Sequence, residues 1–223
     1  MSDEGKSADT DAISQTLEFC YSRAIGSKLF GLQQNCDELA EEYTKKGTDP
    51  DSAVDNLINW QCAKTSATGF VSGLPGFFAL PVTITADLMT LWYIQLRMVA
   101  AIGRIYGHDP KDDQVRTLAY VSLLGSGAQE AVGRVGVDIG NKAATAALRR
   151  MPATALLEIN KAVGFRLVTK FGQKGAVNLV KLVPIAGGLV GGAINFAGTR
   201  VVGKTAKRIL RQKNTGATNQ DPT

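Results

Sequence analysis

GFVSGLPGFFALPVTITADLMTLWYIQLRMVAAIGRIYG, residues 69–107, is the stretch whose reading decides the fold. From Thr65 to Ala86 no residue carries a formal charge, and the remainder holds only Asp87, Arg97 and Arg104. Gly69, Gly73, Pro75 and Gly76 interrupt helix at the start of the stretch. Pro81 begins a new helix, because proline's fixed φ and missing N–H are tolerated in a first turn. That helix is predicted to run from Pro81 to Tyr106 and to stop at Gly107, a residue able to take the left-handed conformation of a C-terminal cap. His108-Asp109-Pro110 then makes the turn.

LVPIAGGLVGGAINFAGTR, residues 182–200, has the same character, and a last long helix is predicted from Pro184 to Arg211. When Pro81 is set on Pro184, Arg97 falls on Arg200 and Arg104 on Lys207. This correspondence suggests a pseudo-repeat whose two long helices pack against each other. In the last helix Gly187, Gly188, Gly191, Gly192 and Gly198 share one face with Asn195 near its middle, and small residues at such spacing let another backbone approach.

Working outward, residues 1–10 read as a disordered tail and residues 213–223 as another, with a single helical domain over 11–212 between them. Ile13, Leu17, Cys20, Tyr21 and Ala24 recur at helical spacing from Asp11 onward. CDELAEEYTKK (36–46) carries its acids early and its lysines late, as the helix dipole favours. Asp49-Pro50 caps a helix over Ser52–Thr68 with Val54, Leu57, Ile58 and Cys62 on one face. Further helices are expected from Asp112, as one or two short pieces within 126–150, over Ala153–Lys170 after the Met151-Pro152 break, and over Gly175–Val183. No strand-like alternation persists. The fold class is all-α, a multi-helix bundle with two long proline-started, glycine-rich apolar helices.

The charge is divided unequally. Residues 1–140 hold 11 Lys/Arg against 18 Asp/Glu, whereas residues 141–223 hold 14 against two. Either the halves attract each other within one fold, or the basic half meets an anionic surface. The three cysteines (Cys20, Cys36, Cys62) have no CxxC or zinc spacing and read as reduced thiols. The acidic N-terminus does not resemble a signal peptide, so a cytoplasmic location is the expectation.

The run INWQCAKTSATGFVSGLPGFFALPVTITADLMTLWYIQLRMVAAIGRIYGHDP (58–110) and the later KLVPIAGGLVGGAINFAGTRVVGKTAKR (181–208) resemble the EcsC protein family. The resemblance spans about residues 35–211. Its motifs are a GF-x-x-G-x-x-G approach, an LP-V helix start with Asp87 following, Q-x-R-x-x-A-A-I and YG-x-DP. The family takes its name from a bacterial protein encoded beside the ATPase and membrane subunits of an ABC exporter. The resemblance therefore implies a fold and a membrane-linked, export-associated setting, and it transfers no catalytic residue.

Candidate functional residues fall into two sets. Asp87, Gln95, Arg97, Asn195 and Arg200, drawn from the two long helices, are a candidate polar pocket. On a helical wheel Asp87, Arg97 and Arg104 share a side with Thr83 and Thr90, a solvated or inter-helix stripe. Asp87 and Arg97 lie roughly 15 Å apart along the axis and each needs a partner elsewhere. Gln95, among apolar neighbours, must hydrogen-bond if buried or cost about 1–3 kcal/mol, which makes it a structural tie before it is a catalyst. The second set, Lys204, Lys207, Arg208 and Arg211, is a basic stripe suited to lipid phosphates and equally to an ordinary solvated helix end.

Several chemistries lack their residues. His108 is the only histidine, and there is no phosphate-loop or nucleophile-elbow motif. Asp109, Asp112 and Asp113 beside His108 read as turn and cap residues rather than metal ligands, so no metal or other cofactor is called. Nucleic acid is not an expected partner, since aromatics for base stacking are not interleaved with the basic residues. The apolar runs are broken by Pro and Gly and fit buried hairpins or segments dipping into one leaflet better than spans. The leading expectation is a non-enzymatic EcsC-like protein on the cytoplasmic face of a membrane, peripherally bound to lipid or to an integral membrane partner. The alternative is an enzyme acting on a lipid or peptide substrate around Asp87 and Arg97.

Overall fold

A computed structural model describes residues 3–26, 34–44, 49–67, 86–133, 135–137, 150–171 and 187–211. Among the described residues the chain is all-helical: α1 (Asp3–Ile25), α2 (Cys36–Thr44), α3 (Pro50–Ala67), α4 (Ala86–Ile105), α5 (Asp113–Leu123), a 3-10 turn (Gly125–Gly127), α6 (Ala128–Gly133), α7 (Ala153–Phe171) and α8 (Gly187–Leu210). The starts expected at Pro81 and Pro184, the helix expected over 175–183 and the tail over 213–223 lie outside the described residues.

Helix α4 is the centre of the bundle, packed against α1, α2, α3, α5 and α8. Met98, Val99, Ala100, Ala101 and Ile102 are five successive residues without exposed surface. A helix apolar on nearly every side must be enclosed on every side. Its end is local chemistry. Gly107 adopts φ +81°, His108 N–H donates to Gly103 O and Gly107 N–H to Arg104 O, which completes a Schellman cap.

The other boundaries are marked in the same way. Asn35 Oδ1 accepts the Glu38 N–H at the start of α2. Asp49 Oδ1 accepts the N–H groups of Asp51 and Ser52, with Pro50 as first helical residue of α3. Helix α1 departs from expectation. It begins at Asp3, so residues 3–10 are helical rather than a disordered tail. Thr10 and Ser14 lie against Gly164 of α7, a glycine whose added Cβ would sit 3.2 Å from each. That contact carries the helix beyond the apolar periodicity that starts at Ile13.

Two registers organise the site. Helices α3 and α8 run antiparallel, with Asp51 beside Arg211, Asp55 beside Lys207 and Ile58 against Gly203. Helices α4 and α8 run parallel, with Gln95 beside Thr199 and Gly103 near Leu210. The two long helices thus pack side by side. Their matched arginines nevertheless meet different surroundings, since Arg97 is buried and Arg200 exposed. The stripe on α4 is accordingly an inter-helix stripe at Arg97 and a solvated one at Arg104, which pairs with Asp37 at 2.9 Å.

The close-approach glycine of α8 is Gly203, whose added Cβ would meet Ile58 at 2.8 Å, and not Gly198, which has nothing within 4 Å. The side chains of residues 187–192 lie outside the described set.

Candidate functional site

Of the candidate polar pocket, Gln95 and Arg97 are both buried but serve different neighbours. Gln95 Nε2 donates to Thr199 Oγ1 at 3.3 Å and ties α4 to α8. Arg97, two residues on, is turned about 200° around the helix. Its NH1 donates to Gln34 O at 3.1 Å, and its guanidinium lies 5.8 Å from the Tyr93 ring centroid. Burial pulls the Arg97 pKa down, while Tyr93 beside it works in the opposite direction. A guanidinium remains charged under any ordinary condition, so this is a cation held inside the bundle beside a carbonyl and the Tyr93 ring. Asn195 is half-buried and Arg200 exposed on α8, and the Asp87 side chain lies outside the described set. The structure joins α4 and α8 at Gln95–Thr199, one turn from Asn195, and directs Arg97 away from that junction toward α2.

The basic set divides just as clearly. Lys207 Nζ lies 2.7 Å from Asp55 Oδ1 and donates to Asp51 O at 3.2 Å, and Arg211 pairs with the Asp51 carboxylate. Tyr106 O–H donates to Asp51 Oδ1 at 2.7 Å. Burial first, and then this hydrogen bond, push the Tyr106 pKa up. Asp51 thereby gathers groups from α8 and from the end of α4. Together with Arg166–Glu130 between α7 and α6, these pairs join the basic half of the chain to the acidic half.

Lys204 and Arg208, by contrast, are exposed and form no ion pair with another described residue. With Arg200 they make a line at four-residue spacing along the exposed face of α8. Beside that line the apolar Ile194 and Val201 are 45% and 46% exposed.

Three features were missed by sequence reasoning. His108 is buried, and its Nε2 lies 2.7 Å from Leu210 O, closing the C-terminal end of α8. Glu18 of α1 receives both Arg116 NH1 and the Tyr120 O–H from α5. Gln61 is buried in α3 with neither amide atom hydrogen-bonded. The last had a signal, because Gln61 stands at i+3 and i+4 from Ile58 and Leu57 on the apolar face. The cysteines are buried, and burial pushes the Cys20 and Cys36 thiols up to about 12, which leaves them poor nucleophiles. Among the described residues no three His, Cys, Asp or Glu side chains cluster as a metal would need, and no helix is long and apolar enough to cross a membrane.

An all-helical bundle whose described residues include an exposed α8 face of apolar and basic side chains is the class of protein these observations define. The chain belongs to the EcsC protein family, whose model matches residues 31–213. No curated protein and no solved structure matches it.

Proposed function

We propose that this EcsC-family protein binds the anionic surface of a membrane from the cytoplasmic side through the exposed face of α8. The observation that carries the reading is the contrast within one basic set. Lys207 and Arg211 are neutralised by Asp55 and Asp51, whereas Arg200, Lys204 and Arg208 face solvent in line with Ile194 and Val201. Cations with apolar neighbours on one helix face suit phosphate headgroups and the acyl boundary beneath them. Each basic residue near such a surface contributes about 1 kcal/mol, so three contribute about 3 kcal/mol, or roughly a hundredfold in partitioning.

The occupant of that surface is lipid, with an integral membrane protein of an export system as the setting the family implies. The enzyme reading around Asp87 and Arg97 has less support, because Arg97 is held by Gln34 and Tyr93 inside the bundle. Co-sedimentation with neutral and with anionic vesicles, at low and high salt, tests the proposal. The triple variant Arg200→Gln, Lys204→Gln, Arg208→Gln is expected to bind anionic vesicles about a hundredfold more weakly than the unchanged chain. Equal binding of neutral and anionic vesicles, or an unaffected triple variant, would refute it.

A further inference from the structure

We infer that the lipid-facing surface extends beyond α8, across the 3-10 turn Gly125–Gly127, onto the outer face of α7, so that two helices touch the membrane together. The inference rests on the proposed membrane reading and deepens it by naming the second half of the contact.

Helix α7 has an outer line of its own. Leu157, Lys161 and Phe165 are spaced by four residues and all exposed, Leu157 at 56% and Phe165 at 42%. Large apolar side chains left this exposed on one line, with a cation between them, are not explained by packing within the bundle. They are two of the five large apolar side chains so exposed among the described residues, and Ile194 and Val201 of α8 are two more.

The turn lies between α8 and α7. Gly125 has φ +59°, and a Cβ there would lie 2.6 Å from Val201 Cγ1, so α8 rests directly on this turn. A Cβ on Gly127, two residues along, would lie 4.0 Å from Arg166 NH1 of α7. Val201 therefore borders the turn on one side. The Arg166 side chain borders it on the other, and Phe165 is turned about 100° around α7 from it, toward solvent. Between them the only exposed side chain of the turn is Ser126. A bulky side chain at either glycine would push the helices apart or stand between them and a flat surface.

The charge on the joined surface is mostly positive, its exposed acids being Glu158 on α7 and Glu130, which is paired with Arg166 beside the turn. Lys161 adds to Arg200, Lys204 and Arg208, none of which pairs with an acid among the described residues. A second copy of the chain would set these cations against their own kind. An anionic surface would not, and the apolar side chains between the cations would reach past the headgroups.

The test uses the full chain with one added cysteine at a time. Phe165→Cys on α7, Val201→Cys on α8 and Glu42→Cys on α2 as a reference are each labelled with the polarity-sensitive fluorophore NBD. The native thiols are buried and stay unlabelled in the folded protein. Circular dichroism checks that each variant is folded. With vesicles of equimolar phosphatidylcholine and phosphatidylserine, the probes at 165 and 201 are both expected to shift to the blue and to be quenched by brominated acyl chains, while the probe at 42 does neither. Leu157→Glu and Phe165→Glu are each expected to weaken vesicle binding about tenfold. If the probe at 201 responds and the probe at 165 does not, the two-helix contact is wrong and the α8 contact stands. If the protein ignores the vesicles altogether, both readings fall.

Discussion

Replacing Gly203 by alanine tests the closest contact in the bundle. The new Cβ would lie 2.8 Å from Ile58 Cγ1, 3.0 Å from Cγ2 and 3.2 Å from Cδ1. Carbon atoms pack comfortably at about 3.5–4.0 Å. Ile58 cannot swing aside, because a β-branched side chain in a helix has essentially one χ1 rotamer and this one is buried. The relief left is separation of α3 from α8, which also pulls on Asp55–Lys207 and Asp51–Arg211.

Overpacking of this kind costs about 1–3 kcal/mol, against a gain of about 1 kcal/mol for alanine over glycine inside a helix. The net expectation is a loss of about 1 kcal/mol, or about 2–4 °C in Tm for a chain of this size. Gly198→Ala is the internal control. Nothing lies within 4 Å of its Cβ position, so it should keep the helix gain and raise stability by up to about 1 kcal/mol. Urea unfolding of both variants measures the difference of about 2 kcal/mol. Ile58→Ala in the Gly203→Ala background should cost less than in the original chain, by a coupling of about 1–2 kcal/mol. Equal stabilisation by the two alanines would refute the close approach of α3 and α8.

Two further outcomes follow from groups inside and at the edge of α3. Gln61→Met removes a buried amide with no hydrogen bond at nearly unchanged volume, and is expected to raise stability by about 1 kcal/mol in the same urea assay; a loss would show that the amide has a partner. Asp49 has its pKa lowered by hydrogen bonds from Ser52 and Asp51 at the cap of α3. A depressed carboxylate stabilises the fold above its unfolded pKa and loses that contribution as pH falls through the folded value. Asp49→Asn keeps an accepting oxygen without the titration, so between about pH 5 and pH 2 its Tm should fall less than that of the unchanged chain. Parallel curves would remove the cap from the acid response.

Three helix ends were legible because each is written in one or two residues, whereas the start of α1 was not. Gly107 supplies the left-handed residue that ends α4, Asp49-Pro50 starts α3, and Pro152 precedes α7. The all-α class and the family were likewise readable from periodicity and from the motifs around Gln95–Ile102. What could not be read was which side of each helix meets which neighbour. Arg97 and Arg200 share an offset in the sequence, yet one is enclosed by α2 and the other is open. Gly198 and Gly203 are equally small, and only the rotation of α8 against α3 distinguishes them. His108 reads as a turn residue, and its contact with Leu210 is a hundred residues away in the chain. The candidate site depends on the same pairings, since the basic residues proposed to meet a membrane are those that α3 does not neutralise.

The ties around Asp51 and His108 all fall at one end of α3, α4 and α8. Tyr106, Lys207 and Arg211 converge on the first turn of α3, and His108 holds the last carbonyl of α8. Given the registers, the last residue of α3 and the first residues of α4 and α8 lie at the opposite end. The three helices are thus tied most densely at the Asp51 and His108 end, with Gln95–Thr199 as a further tie between α4 and α8 about 16 Å along α8 from Leu210. Helix α8, with 24 residues, is about 36 Å long. A tilt of about 5° at the densely tied end would carry the start of α8 through about 3 Å and Thr199 through about 1.4 Å, so the Gln95–Thr199 bond would give way before the ties to Asp51 and His108.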